Sequence, residues 1–254
     1  FTYPSKVHSL DDTRIVYVCA GFAHTVALTD QGVVYAWGAN DKGQLGLEGF
    51  TATYTPSVVT GLMGKKVTRV SCGYDTTAAV TEKGLVYTFG DNSLGQLGLG
   101  HTRPMVGVNQ VTALADSVIV QAEVGWTHMI ALDENGVAYG WGDNSTGQLG
   151  LGYKDSPVLD VTPIERLRDK GVYFVATGYF HNFVLTDSGM VYGFGSNDHG
   201  QLGVYDKFDR DIPVAVPLLS MRNVTHISAG GTHSIVATGN NRVYSFGANA
   251  EGQL

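Results

Sequence analysis

The sequence predicts an all-β fold, a β-propeller of four-stranded blades. Three observations carry this. Residues 141–152 read Trp-Gly-Asp-Asn-Ser-Thr-Gly-Gln-Leu-Gly-Leu-Gly, and near-copies open with an aromatic-Gly pair at 37, 89, 194 and 246, so the steps are 52, 52, 53 and 52 residues. A fixed period of this size marks a repeat array. Each repeat holds short β-branched or apolar runs with no sustained helical periodicity. Glycine is abundant, 34 of 254 residues, and sits at fixed offsets, so the excess means turns and not disorder.

The elements follow in order within each repeat. A proline-headed run opens it: Tyr3-Pro4-Ser5-Lys6-Val7, Thr55-Pro56-Ser57-Val58-Val59, Pro104-Met105-Val106, Pro157-Val158-Leu159 and Ile212-Pro213-Val214. Proline lacks an N–H for a ladder, which suits an edge strand. A β-branched run follows (Ile15–Cys19, Val67–Cys72, Val118–Val124, Val172–Thr177, Val224–Ala229) and leads into a glycine at 21, 73, 125, 178 and 230. Next come His24–Thr29, Thr76–Thr81, His128–Leu132, His181–Thr186 and His233–Thr238. Their apolar centres suit a strand buried on both faces. A tight turn ends in Gly32, Gly84, Gly136, Gly189 or, in the fifth copy, Asn241. Gly and Asn tolerate positive φ, so a hairpin turn with a left-handed residue is expected there. The return strand carries Tyr35, Tyr87, Tyr139, Tyr192 or Tyr244.

Four short strands per repeat cannot bury both sheet faces alone, whereas sheets arranged radially pack on one another. The chain is therefore read as one array over 1–254, with repeats at about 1–49, 50–101, 102–153, 154–206 and 207–254. The signature itself is architectural. The ring of the aromatic-Gly pair fills space between sheets. Asn40, Asn92, Asn144, Asn197 and Asn249 each stand two residues after that Gly, where the side chain can hold a turn. Gly-Gln-Leu-Gly then supplies two flexible points around one apolar anchor.

From Cys19 to Gly46 the chain reads Cys-Ala-Gly-Phe-Ala-His-Thr-Val-Ala-Leu-Thr-Asp-Gln-Gly-Val-Val-Tyr-Ala-Trp-Gly-Ala-Asn-Asp-Lys-Gly-Gln-Leu-Gly. This closely resembles the repeat of the regulator of chromosome condensation family, and all five repeats match. Members of that family are typically seven-bladed propellers. The resemblance thus implies that these five repeats are part of a seven-bladed ring and that the array is incomplete. The family's founding member is a nuclear exchange factor for a small GTPase, which works through loops on one propeller face and a protruding wedge.

Composition narrows the function. Net charge is −7, with 16 Lys+Arg against 23 Asp+Glu, so direct nucleic-acid binding by bulk electrostatics is not expected. Apolar runs are strand-length, far short of a membrane span, and no membrane insertion is expected. The two cysteines do not make a disulfide framework. Cys19 lies two residues before Gly21 and Cys72 one before Gly73, so in equivalent strands they face opposite sides. Two buried free thiols are expected, hence an intracellular, reducing compartment, cytoplasm or nucleus. His24, His128, His181 and His233 occupy one position in separate repeats, with Thr76 in the second. Convergence on one metal is not implied, and core roles are expected. No nucleophile–base–acid constellation and no phosphate-binding loop stand out, so no catalytic residue, cofactor or metal is assigned, and the chain is not read as an enzyme, exchange activity apart.

One ring of positions departs from architecture. The residues after the key glycines are Phe22, Tyr74, Trp126 and Tyr179, then Gly231, and beside them stand Asp75, Thr127 and Phe180. Aromatic side chains at loop tips on a face with few charges are the material of interface hot spots. Wedging between blades is the alternative use of the same rings. The expected partner-binding residues are Phe22, Tyr74, Asp75, Trp126, Thr127, Tyr179 and Phe180. The function expected first is a scaffold that binds a protein partner through them. The alternatives are guanine-nucleotide exchange on a Ran-like or other small GTPase, implied by the resemblance, and a structural subunit docked on a large assembly.

Overall fold

The computed structural model describes residues 3–254. Nineteen strands run in chain order through five antiparallel sheets. Blade one is β1 (Ile15–Ala20), β2 (His24–Thr29), β3 (Val34–Gly38) and β4 (Thr53–Val58). Blade two is β5 (Val67–Cys72), β6 (Thr76–Thr81), β7 (Val86–Gly90) and the short β8 (Asn109–Gln110). Blade three is β9 (Ile119–Val124), β10 (His128–Asp133), β11 (Ala138–Gly142) and β12 (Val158–Pro163). Blade four is β13 (Val172–Thr177), β14 (His181–Thr186), β15 (Val191–Gly195) and β16 (Arg210–Ala215). Blade five is β17 (Val224–Ala229), β18 (His233–Thr238) and β19 (Arg242–Gly247), three strands among the described residues.

Strand order within each blade follows the sequence, and the first strands β1, β5, β9, β13 and β17 touch one another from blade to blade. These are the inner strands of the array. Of the five proline-headed runs, residues 3–7 and 104–106 form no strand, whereas the other three lie at the outer edge as expected: β4 carries Pro56, β16 carries Pro213, and Pro157 immediately precedes β12. Each pairs with the hairpin before it, as in Tyr35 with Val58 and Tyr192 with Ala215. The strand that opens a sequence repeat thus closes the preceding blade.

Local chemistry explains the repeats. The hairpin turns hold Gly32, Gly84, Gly136 and Gly189 at φ 76°, 74°, 80° and 77°, and Asn241 at 61°. At each corner the Asn side chain closes the turn. Asn40, Asn92, Asn144, Asn197 and Asn249 accept from the backbone N–H of Leu45, Leu97, Leu149, Leu202 and Leu254, at 2.9–3.1 Å. The leucine so fixed is fully buried in the first four blades. The core is not one mass. It lies in four apolar layers, one between each adjacent pair of blades, such as Val26, Leu28, Leu45 and Val59 against Val67, Val70, Ala79 and Phe89.

The cysteines overturn an expectation. Cys19 and Cys72 are not free thiols but a disulfide between β1 and β5, with Cα atoms 5.7 Å apart. Alternation does place them on opposite sides of their own sheets. Blades stack, however, so the leading face of one meets the trailing face of the next, and opposite sides are the ones that touch. With the thiols goes the ground for a reducing compartment. No helix among the described residues is long and apolar enough to cross a membrane.

Candidate functional site

The same stagger of side chains organises three of the four junctions. A residue of one blade meets the position one further along in the next. His24 Nε2 donates to Thr77 Oγ1 at 2.9 Å, and Thr77 Oγ1 donates to the Gln44 carbonyl at 2.9 Å. His128 Nε2 donates to Asn182 Oδ1 at 2.9 Å, and Asn182 Nδ2 to the Gln148 carbonyl at 2.6 Å. His181 Nε2 donates to Ser234 Oγ at 2.9 Å, and Ser234 to the Gln201 carbonyl at 2.8 Å. Because the hydroxyl or amide spends its own donor on the glutamine carbonyl, the imidazole must present Nε2–H. Burial keeps these rings neutral. It pushes His24 down to about 4 and His181 to about 3, and lowers His128 as well. His24, His128 and His181 thus each bridge a different pair of blades, and no group of three potential metal ligands occurs among the described residues.

These locks fix the loop tips. A Cβ on Gly21 or Gly178 would collide with the imidazole below and with the carbonyl oxygen of Gly73 or Gly230 in the next blade. Glycine is required here by close approach, not by φ. The chain can then cross the top of its own histidine and bond sideways. The N–H of Phe22 donates to Tyr74 O at 3.1 Å, that of Trp126 to Tyr179 O at 3.2 Å, and that of Tyr179 to Gly230 O at 3.3 Å.

The predicted rings meet. Phe22 stacks on Tyr74 with centroids 4.3 Å apart and planes 24° from parallel. Tyr74 stacks on Trp126 at 4.5 Å and 11°, and Trp126 on Phe180 at 5.5 Å and 17°. Tyr179 meets Trp126 edge-on at 4.5 Å and 82°. The result is a ladder of near-parallel rings across four blades, with spacings typical of favourable aromatic pairs. Phe22 is 66% exposed and Tyr179 42%, while Tyr74, Trp126 and Phe180 are half-buried. The rings stack on their counterparts in neighbouring blades, as the wedging alternative expects, and each keeps part of its surface open. Gly231 ends the ladder, where a Cβ would lie 2.9 Å from the Tyr179 ring. Beside it the glycine tips line a pocket of about 300 Å³ where the inner strands end.

The polar members lie alongside. Thr127 Oγ1 donates to Asp143 Oδ2 at 3.2 Å. Burial opposes the charge of Asp143, but hydrogen bonds from Ser156 and Ser145 outweigh it and hold the carboxyl below its ordinary value. Asp75 behaves in the opposite way. Burial, reinforced by the charges of Asp41 and Asp91, raises its carboxyl, and only the Gln44 side chain, 3.1 Å away, and Lys42 act against this. Asp41, Asp91 and Asp143 were not singled out from the sequence. They sit in the corners, and the hairpin topology brings corners and tips to the same end of every sheet. That shared end was the available signal.

The model of the RCC1-like domain matches residues 2–254. The chain is 36% identical over 221 residues to the ultraviolet-B receptor of Arabidopsis thaliana, covering 86% of this chain and 49% of that one. It is 34% identical over 237 residues to the human E3 ubiquitin-protein ligase HERC2, covering 92% of this chain and 5% of that one. Among solved structures, human WBSCR16 superposes with TM-score 0.80 at 25% identity, over 89% of this chain and 58% of that one. Prp20p of Saccharomyces cerevisiae, described with its binding properties to Gsp1p and histones, superposes with TM-score 0.79 at 21% identity, over 93% and 59%. The last likeness is one of fold. The chain spans about half the length of the receptor and a small part of the ligase.

Proposed function

Since this chain belongs to the RCC1-like domain family of β-propellers, we propose that it is a protein-binding scaffold that docks a partner on the ladder of Phe22, Tyr74, Trp126, Tyr179 and Phe180. One observation carries the reading. Large rings that could have been buried between blades are instead lined up at one face, fixed from below and open from above. Rigid, amphipathic aromatic side chains give contact area at low entropic cost, which is why hot spots use them. The test is partner capture by the full-length protein with Trp126→Ala and Tyr179→Ala. Loss of the captured partner, with the fold unchanged by circular dichroism, is the expected result. Retention of every partner by the folded double variant would reject the scaffold.

Exchange activity is the second reading, favoured by the fold shared with Prp20p, whose structure is described with binding to Gsp1p. Stimulated nucleotide release from a small GTPase by the full-length protein would put it first. We further infer that the five blades belong to a seven-bladed ring. The outer faces of the first and fifth blades support this. Val243 is 69% exposed where its counterpart Val191 is 1%, and Val18 is exposed where Val70 and Val175 are buried. Burial of those side chains against further blades in the full-length protein is the measurement.

A further inference from the structure

We infer that the aromatic ladder docks a basic segment of its partner, one that presents arginine between apolar side chains. The inference rests on the scaffold reading and adds the chemistry of the partner. Charge complementarity carries it. The tips and connections that share the ladder's face bear ten carboxylates, Asp41, Glu48, Asp75, Asp91, Asp143, Asp155, Asp198, Asp206, Asp209 and Glu251. Against them stand Lys42, Arg103, Lys154 and Lys207, with Arg210 at the start of β16. The cations Lys154 and Arg210 are paired with Asp209 and Asp206, away from Asp41, Asp75 and Asp91. The opposite end of the array is mixed: its turns and connections carry Lys65, Lys66, Lys83, Arg168 and Lys170 among carboxylates. The ladder is thus the apolar centre of an acidic rim, which steers and selects cationic partners.

The carboxylates are not equally satisfied. Asp143 is held by Ser145, Ser156 and Thr127. Asp91 accepts from Gln96 Nε2 at 2.8 Å and from Ser93 Oγ at 2.5 Å. Asp75 accepts one side-chain bond, from Gln44, which Gln44 shares with Asp41 at 3.3 Å. Asp75 directly follows Tyr74, so a cation seated there would lie beside the second rung. Burial, with Asp41 and Asp91 close by, raises its carboxyl, and Lys42 and Gln44 only partly offset this. Arginine suits the place better than lysine. A planar guanidinium can bond a carboxylate with two parallel N–H groups and lie on a ring face. Phe22 ends the stack at this side, with Tyr74 on one face and 66% of its surface open. That free face is a cation–π platform.

Fluorescence anisotropy with labelled peptides tests this on the full-length protein. The probes are an eight-residue alternating Arg-Leu peptide and its Glu-Leu counterpart. Arg-Leu is expected to bind at physiological salt, and Glu-Leu roughly tenfold or more weaker. Asp41→Asn, Asp75→Asn and Asp91→Asn together should weaken Arg-Leu by about tenfold or more. Neutralising the opposite face with Glu82→Gln, Glu134→Gln and Asp187→Asn should leave it unchanged. Equal binding of both peptides, or an equal loss from the two triple variants, would overturn the inference, because bulk charge and not this rim would then be at work. Partner capture separates the two levels. If Trp126→Ala with Tyr179→Ala loses the natural partner while the rim variant keeps it, the arginine inference fails and the scaffold stands. If both keep it, the scaffold itself fails.

Discussion

At the junctions between blades one and two, three and four, and four and five, a histidine reaches forward to the next blade. Between blades two and three a tryptophan reaches back. There the histidine position holds Thr76, whose hydroxyl turns to the Asp91 carbonyl at 3.3 Å, and the receiving position holds Met129, which offers no acceptor of that kind. The Gln96 carbonyl would be left without its partner. Trp141 fills the gap, donating its indole N–H to Gln96 O at 3.0 Å from a fully buried ring. The blade-corner carbonyl must be satisfied, since a buried unpaired acceptor costs about 1–3 kcal/mol. Which side chain does it is free to vary. The pattern held across repeats is a hydrogen bond, not a residue.

The first junction is distinct in another way, because it also carries the Cys19–Cys72 disulfide. The crosslink spans a sequence separation of 53. Closing a loop of that size in the unfolded chain should stabilise the fold by roughly 4 kcal/mol on the chain-entropy account. Replacing both cysteines with Ser is therefore the largest expected loss among these junctions. Urea unfolding should show it, and the wild-type protein under reductant should match the double variant. If oxidation and reduction give the same midpoint, the first junction is no firmer than the others.

Next in size are the locks themselves. His128→Ala leaves Asn182 Oδ1 unpaired and opens a cavity, for an expected loss of about 3 kcal/mol. Trp141→Phe keeps most of the ring but orphans the Gln96 carbonyl, for about 2 kcal/mol. If Trp141→Phe proves neutral, the tryptophan is packing alone and the contrast between the junctions dissolves.

Acid should divide the junctions further. Unfolded histidine takes up a proton near pH 6.5, whereas the folded chain keeps His24 neutral to about 4 and His181 to about 3. The folded pKa is the lower one. The histidine contribution is therefore full above pH 6.5, shrinks as pH falls through the window down to about 4, and stops shrinking once the folded ring also titrates. Each buried histidine adds at most about 1.4 kcal/mol per pH unit to the slope. Asp75 and Glu123, both raised by burial, slope the other way. Comparison of wild type with His24→Gln isolates one histidine, and the variant should show the shallower dependence between pH 6.5 and 4. No Thr76 variant that lacks a titrating group should change that slope.

Much of this was legible in the sequence, and the exceptions have a common cause. The hairpin glycines, Asn241 in their place, the corner asparagines and the ring of aromatic tips all act within one repeat or at one repeated position, so the period exposes them. The cysteine pair was misread because alternation was applied within a strand while the contact forms between stacked sheets. The ladder was legible as four positions but not as a stack, since ring-to-ring distance is set by the stagger between blades. Trp141 was passed over as one more aromatic-Gly residue. Its signal was the coincidence of Thr76 and Met129 in the neighbouring repeats, which only the junction joins.

The smallest expected effect is also the sharpest test of the comparison. Thr76→His, Met129→Asn and Trp141→Phe together rebuild at the second junction the arrangement seen at His128, Asn182 and Phe194. Singly, each change should destabilise. The new imidazole would face Met129 without an acceptor, the new amide would be buried without a donor to receive, and the phenylalanine would orphan Gln96 O. Combined, the imidazole Nε2–H meets the oxygen of the introduced amide, the amide N–H meets Gln96 O, and the smaller ring gives room. Stability should return to within about 1 kcal/mol of wild type, so the coupling among three destabilising changes, and not their sum, is the observable. The restored histidine should also add its share to the acid-side slope. A triple variant as unstable as the summed singles would mean that Trp141 shapes this junction in a way that no histidine lock can replace.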